Sequence, residues 1–372
     1  KYDGHACIIN SRLVAMLPAE VKTLRGFHQD TGEMNQEAFF AVTDFVTKKI
    51  PLPRTLRNML SAVDETLELI EEHRGKRIDL SRIDFDDERV YDGICLADTM
   101  GVFQIESRAQ MQTLPRVRPR SLDDLTVQVA IIRPGPIVGG SVSPYIRRRL
   151  GKEPVTFDHP SLEPVLGETL GVVLYQEQVL QVSMALAGFS AGQAESLRRA
   201  MSRKRSKEAI EKLKEQFIEG CLGQGVRQQT VEAVFQKIAG FAEFGFPKAH
   251  AAAFGLLAYQ TAWLRTYYPA ESLCALFNAQ PMGFYAPHVL VNDGKRHGIK
   301  VLPPDINRSG ANCVVEPDAD ASLAVRVGLR YVRGLSEATA PRIETARLSG
   351  GEYRSIFDFL ERTSLRREAI EN

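Results

Sequence analysis

Apolar positions recur at helical spacing through most of the chain. Leu56, Met59, Leu60, Val63, Leu67 and Ile70 form one stripe and predict a helix over about 56–73. Ahead of it, residues 34–49 pattern as an amphipathic helix that Pro51 and Pro53 break. Residues 80–100 are acidic and loop-like, with a short helix near 88–97. Ser121 caps a helix through Ile132, which Pro134-Gly-Pro136 ends. The apolar run Gly171-Val-Val-Leu-Tyr175 leads into a helix at 176–187, and Ser190-Ala-Gly-Gln193 is a capping box for the helix bearing Arg198 and Arg199. Ser206 caps the next, with Ile210, Leu213, Phe217 and Ile218 on its apolar face and Gly220 and Gly223 closing it. Further helices fall at 228–239, at 249–267 (ended by Pro269) and at 270–279. After residue 298 the period shortens. Ile299–Leu302 and Ala324–Tyr331 alternate as a strand pair, followed by a helix near 337–348 and by Gly350-Gly351. Residues 364–372 read as a helix without a C-cap. The pattern predicts a mainly α chain, a helical domain followed by a small α+β domain, with a boundary near 282–300.

Composition narrows the class. With 44% hydrophobic and 25% charged residues over 372 positions, the chain is a soluble globular protein and not a disordered tail, a collagen or a rod. No apolar run reaches the roughly 18 residues of a membrane span. Five cysteines lie far apart without a CxxC pair, which points to reduced thiols and a cytoplasmic setting. The chain starts at Lys1 with no signal peptide, and both ends read as cut.

Net charge is +1, but residues 101–215 carry +5 against −5 for residues 1–100. Two clusters concentrate it: Arg147-Arg148-Arg149 with Lys152, and Arg198, Arg199, Arg203, Lys204, Arg205 and Lys207. Such clusters fit a polyanion, although a single basic run is more often a solvated helix face.

Walker A, GxGxxG, GxSxG and HExxH patterns are absent, and seven scattered histidines argue against a metal site. Asp84-Phe-Asp86-Asp87 resembles a paired-carboxylate motif, but its polar surroundings favour a linker. Arg133 stands at the entrance of a rigid Pro-Gly-Pro turn, which suits phosphate recognition and equally suits capping its own helix. Arg198 and Arg199 diverge by about 100° on a helix, whereas Arg199 and Arg203 share a face. Gly245-Phe-Pro-Lys-Ala-His250 delivers Lys248 and His250 to a helix N-terminus, an anion site in form, although a lone histidine there is more often structural. Phe246, Phe254, Tyr259, Trp263, Tyr267 and Tyr268 read as core aromatics.

Seven stretches in order resemble the bacterial C-family replicative DNA polymerases, the alpha subunits of DNA polymerase III. They are Gly101-Val-Phe-Gln-Ile-Glu-Ser-Arg108, Ile132-Arg-Pro-Gly-Pro136, Gly171-Val-Val-Leu-Tyr-Gln-Glu-Gln178, Leu197-Arg-Arg-Ala-Met201, Phe244-Gly-Phe-Pro-Lys-Ala-His250, Ala258-Tyr-Gln-Thr-Ala-Trp-Leu264 and Leu302-Pro-Pro-Asp-Ile-Asn307. Met201-Ser-Arg-Lys-Arg205 and Asn278-Ala-Gln-Pro-Met-Gly-Phe-Tyr285 have the wording of the error-prone, damage-repair branch.

The resemblance covers about residues 57–372. It implies a palm-to-fingers connection over 57–100, helical fingers over 101–282, and a strand pair with the start of a helix-hairpin-helix region over 283–372. It implies a DNA-directed DNA polymerase, with dNTP and template-primer DNA as ligands, Mg2+ as cofactor, and a sliding clamp and mutagenesis accessory proteins as partners of other regions. Arg133, Arg198, Arg199, Arg203, Lys248 and His250 are then the nucleotide-phosphate candidates. Arg147, Arg148, Arg149, Lys204, Arg205 and Lys207 are the DNA-backbone candidates.

Three departures stand out. The family's metal-binding palm aspartates are not recognised, and residues 47–58 lack the expected Asp. On this reading the chain alone is inactive. Residues 1–56 match nothing in the family, which suggests a shifted reading frame or a misjoined gene; resequencing that returns the same frame refutes this. Gly334-Leu-Ser336 stands where the family has Gly-x-Gly, which implies weaker backbone grip. The alternatives are a non-catalytic DNA-binding module and an all-α scaffold whose basic faces are only solvated.

Overall fold

The computed structural model describes residues 54–133, 136–137, 140–202, 207–242, 246–281, 285–318, 320, 322–335 and 338–365. It also describes the backbone of three short strands, Cys7–Ile8 (β1), Phe27–His28 (β2) and Glu33–Met34 (β3), paired antiparallel in the order β1-β3-β2. The helix expected over 34–49 lies outside the described residues, apart from Met34 in β3.

The first helix, α1 (Arg54–Arg74), buries Met59, Ala62, Thr66 and Ile70 along one face. Leu60, expected on that stripe, is exposed, because the buried row runs through the small residues Ala62 and Thr66. Then come α2 (Glu88–Cys95), α3 (Arg108–Val117), α4 (Leu122–Ile131) and α5 (Val142–Arg149). Every residue of α4 from Leu125 to Ile131 is buried. Its one side-chain amide, Gln128, donates through Nε2 to Gln110 Oε1 (2.6 Å) and Thr113 Oγ1 (2.8 Å), while its buried Oε1 has no partner among the described residues. The long helix α10 (Lys248–Tyr267) lies on α4. At their crossing, a Cβ on Gly255 would stand 3.2 Å from the Thr126 amide nitrogen, so the absence of a side chain sets the approach.

A second core holds α6 (Gln176–Ala187), α7 (Ala191–Ser202), α8 (Lys207–Gly223) and α9 (Gln228–Ala242). Gly220 does not close α8 as expected. The helix runs through it to Gly223, and a Cβ at Gly220 would lie 2.3 Å from the Ala187 carbonyl oxygen. The glycine serves helix-helix contact. Ser206 lies outside the described residues.

The third core joins α1, α11 (Pro269–Asn278), α12 (Pro287–Arg296) and a small sheet. The expected strand pair is a three-stranded sheet. β4 (Val301–Leu302) runs parallel to β6 (Leu323–Arg326), and β5 (Val314–Pro317) antiparallel to it. Residues 329–331 form a 3-10 turn rather than continuing β6. Packing runs across residue 282. Asn278 Nδ2 donates to the Cys313 carbonyl (3.0 Å) and its Oδ1 accepts the Cys313 N–H (2.8 Å). Helices α13 (Thr339–Gly350) and α14 (Ile356–Thr363) pack together at the end. Ser364 turns into the left-handed region and stops α14, so the helix read over 364–372 does not start there; residues 366–372 lie outside the described set. No helix among the described residues is long and apolar enough to cross a membrane.

Candidate functional site

Two distant stretches meet at a single parallel bridge between Tyr175 and Phe246. The Gln176 N–H donates to the Phe246 carbonyl at 3.1 Å. The Tyr175 side is rigid because Gln178 bonds back across it. Its Oε1 accepts the amides of Leu174 (2.8 Å) and Tyr175 (3.1 Å), and its Nε2 donates to Thr169 Oγ1 (2.9 Å). This caps the start of α6 from the N3 position.

Phe246 gathers the rest. The Arg133 guanidinium lies 4.0 Å above its ring, and the His250 ring meets its edge at 4.8 Å. His250 in turn packs on Phe254 (4.2 Å), and Phe254 on Phe103 (5.2 Å). Thus Arg133, Phe246, His250 and Phe103, from three of the stretches singled out in the sequence, form one ladder. Among the described residues no carboxylate pairs with Arg133. Burial lowers its pKa, and burial together with the Arg133 charge lowers that of His250. The imidazole is therefore held toward its neutral form beside a fixed positive charge.

Lys248 opens α10. Its amide is taken by Glu177 Oε2 (3.0 Å), its Nζ by Glu168 Oε2 (2.5 Å), and its ammonium lies 5.8 Å from the Tyr175 ring. The helix terminus read as an anion site thus already holds a carboxylate of the protein. On α7, Arg198 and Arg199 both reach Glu195 despite their different directions, because they stand three and four residues after it. Arg203, Lys204 and Arg205 lie outside the described residues, as does the side chain of Lys207.

The Arg147–Arg149 run divides by partner. Arg147 Nε donates to Glu153 Oε2 (2.7 Å) and its side chain is half exposed. Arg148 is buried against Glu153 (3.2 Å), the Leu170 carbonyl (2.6 Å) and Thr156 Oγ1 (3.1 Å). Arg149 reaches Asp124 (2.6 Å) and the Val117 carbonyl (3.2 Å). Arg148 and Arg149 therefore brace the fold, and Arg147 is the more accessible charge of the run.

The acidic linker is structural. Asp84 Oδ1 accepts the Asp86 amide (2.9 Å) in a turn, and Asp87 caps α2 through the Arg89 amide (2.9 Å). One group among the described residues is close enough to hold a metal ion, Asp98 with Asp293 and His297. The Arg265 guanidinium sits within it, bonding Asp98 Oδ1 (2.5 Å) and Asp293 Oδ2 (2.7 Å). A fixed cation already neutralises these carboxylates. In the small domain Gly334 adopts φ +89°, a glycine conformation, and Ser336 lies outside the described residues.

Sequence reasoning missed Glu195, Glu177, Glu168 and Gln178. The Glu195 pairing was readable from the i, i+3 and i, i+4 spacing, and Gln178 from its place three residues after Tyr175. Glu168 and Glu177 reach Lys248 only through the Tyr175–Phe246 bridge.

Glu106, in the Gly101–Arg108 stretch, has a buried Oε2 with no partner among the described residues. Burial pushes its carboxyl up to about 7, with a smaller lowering by the Gly101 backbone. The fold thus binds this proton more tightly than the unfolded chain does. Stability is full below the unfolded value near 4.5 and declines as pH rises through about 7. Glu106→Gln is expected to raise stability at pH 8, by up to roughly 3 kcal/mol, and to change little at pH 5. Urea midpoints at the two pH values test this; destabilisation at pH 8 would mean that the ionised carboxylate has a partner.

Residues 59–225 match the family model for the bacterial DNA polymerase III alpha subunit finger domain, and residues 298–372 match a helix-hairpin-helix motif. The error-prone DNA polymerase of Corynebacterium glutamicum is 48% identical over 314 residues, which is 84% of this chain and 29% of that protein. Those of Nocardia farcinica (47% over 308 residues, 82% of this chain and 27% of that protein) and Bordetella parapertussis (47% over 314 residues, 84% and 30%) are similar. The chain spans less than a third of the length of these curated relatives.

Proposed function

Because this chain belongs, by its finger domain, to the bacterial DNA polymerase III alpha subunit family, we propose that it holds the incoming deoxynucleoside triphosphate and the template-primer backbone during error-prone, repair-type DNA synthesis. The observation that carries the reading is the convergence of Arg133, Lys248 and His250 on the Tyr175–Phe246 bridge. Two separate stretches place a guanidinium, an ammonium and an imidazole around one rigid junction, whose other side is a third stretch. Arg133 supplies a positive charge that no described carboxylate neutralises. The His250 imidazole, held neutral, offers one N–H donor. Lys248 exchanges Glu168 for a phosphate oxygen. Arg198, Arg199 and, in the basic stretch after them, Arg203 supply the remaining triphosphate contacts.

Mg2+, when bound in such polymerases, helps activate the primer hydroxyl and neutralises developing charge. The carboxylates of the acidic linker and of the Asp98–Asp293–His297 group do not fit that task. Asp84 and Asp87 are spent on a turn and a cap, and Asp98 and Asp293 on Arg265. No step of the reaction is assigned to them. Duplex DNA is read as lying against Arg147, the basic stretch Lys204, Arg205 and Lys207, and the helix-hairpin-helix region matched over 298–372. The sliding clamp, the mutagenesis accessory proteins and the cytoplasmic setting rest on the family resemblance.

Fluorescence anisotropy with a labelled primed template tests the DNA contact. Log affinity is expected to fall linearly with log salt, with a slope of about −0.9 per phosphate neutralised on duplex. Absent or salt-independent binding would remove the DNA role.

A further inference from the structure

The two arginines of α7 share a carboxylate, and the way they share it has a direction. Glu195 Oε2 accepts from Arg198 Nε at 2.8 Å, and its Oε1 accepts from Arg198 Nη2 at 2.7 Å and from Arg199 Nε at 2.7 Å. A guanidinium has five N–H donors in a planar fork. Glu195 takes two of them from Arg198, both on the Nε side. The Nη1 hydrogens and the second Nη2 hydrogen stay at the far end, and that end is itself a fork of the shape that meets two oxygens of one phosphate. Arg198 is 22% exposed and Arg199 62% exposed, so the pair stands at the surface with the inner member partly shielded. Ala194 and Leu197 are fully buried in the second core and fix the turn of α7 from which Glu195 projects.

We infer that Glu195 is a positioning residue: it brackets the guanidiniums of Arg198 and Arg199 by their Nε edges and so presents the Arg198 end fork to a triphosphate. This rests on the proposed nucleotide role of the two arginines. Glu195 brings one negative charge to two guanidiniums, and Glu177 lies near enough to act on Arg198 as well. The carboxyl of Glu195 is held down to about 2, first by the hydrogen bonds of Arg198, and it stays ionised at neutral pH. The opposite role is a counter-ion that phosphate must displace. The bonding geometry disfavours it, because the end fork of Arg198 can meet phosphate without breaking its bonds to Glu195. Ordering two long side chains in advance also removes an entropic cost that binding would otherwise carry.

The two roles predict opposite signs. Removing Glu195 adds net positive charge, so a mere counter-ion, once deleted, leaves a tighter phosphate site. A positioning residue, once deleted, leaves a looser one. The test is calorimetric titration of the full chain at constant salt with dATP and with inorganic tripolyphosphate, using wild type, Glu195→Ala, Glu195→Gln and the Arg198→Ala/Arg199→Ala double variant. Glu195→Ala is expected to weaken both probes by roughly tenfold. Glu195→Gln, which keeps one carbonyl acceptor without the charge, is expected to fall between it and wild type. Equal or tighter binding in either Glu195 variant overturns the inference. If thermal melting shows that Glu195→Ala does not fold, Glu195→Gln decides alone by the same criterion. Failure of the underlying reading looks different: either wild type binds neither probe, or the double-arginine variant binds both as well as wild type does.

Discussion

Replacing Arg198 and Arg199 together with alanine is expected to weaken dATP binding by about a hundredfold or more. Each guanidinium loses charge-assisted hydrogen bonds to phosphate, worth roughly 1.5–3 kcal/mol apiece. Losing one such bond from each arginine gives about 3–6 kcal/mol, or roughly two to four decades of affinity. The cost to folding is small by comparison. Both arginines pair with Glu195 on a partly exposed helix surface, and exposed pairs of this spacing contribute about 0.3–0.5 kcal/mol. The opposite face of α7, with Ala194 and Leu197, keeps its place in the second core. The double variant should therefore melt like wild type and bind dATP poorly. Unchanged affinity would refute the phosphate role of the pair.

Arg265→Ala is expected to destabilise the chain by about 3–5 kcal/mol, the usual result of leaving one member of a buried ion pair alone. Arg265 lies near the C-terminal end of α10 and ties three segments together. It donates to Asp98 Oδ1 (2.5 Å) and the Met100 carbonyl (2.8 Å) in the loop after α2, and to Asp293 Oδ2 (2.7 Å) on α12. Asp293 has only 4% of its side chain exposed. Burial pushes the Asp293 carboxyl up, but the hydrogen bond and charge of Arg265, with Arg296 and His297, pull it below its ordinary value. In wild type this group contributes stability above the unfolded carboxylate pKa and loses it as pH falls through the folded one. Without Arg265, burial dominates and the folded pKa rises, so stability then declines as pH rises. The deficit should be larger at pH 8 than at pH 5 in urea unfolding. A deficit independent of pH would mean that Arg296 and His297 keep Asp293 ionised.

Sequence patterning located most helices to within a few residues because their signals are local. Ser121 and the Ser190–Gln193 box announce starts that the structure places beside them, with Ser121 Oγ accepting the Asp124 amide and Gln193 Oε1 accepting the Ser190 amide. Helices α3, α5, α12 and α14 escaped, although α2 and α4 are as short and were read. In α3 a proline stands within the helix, at Pro115. Strand β5 escaped because four residues ending in a proline show little alternation. Gly220 was misread because a glycine near a helix end has two uses, termination and close contact, and only the neighbour at Ala187 distinguishes them.

The sequence by itself determined that this is a mainly helical chain with a small α+β end, that its middle is basic, and that its ordered stretches resemble a polymerase finger domain. Those properties lie in periodicity, capping residues and motif order, which are encoded within a few turns of chain. Only the tertiary structure decided which charges are available. Arg148 and Arg149 look the same as Arg147 in sequence, and Glu153 pairs with Arg147 and Arg148 alike, yet backbone carbonyls and Asp124 engage only Arg148 and Arg149 among the described bonds. Arg133 and Phe246, 113 positions apart, become neighbours only when the Tyr175–Phe246 bridge closes. A charge is neutralised by whatever stands within a few ångströms of it, and in a packed protein that neighbour is set by the fold and not by the order of the chain.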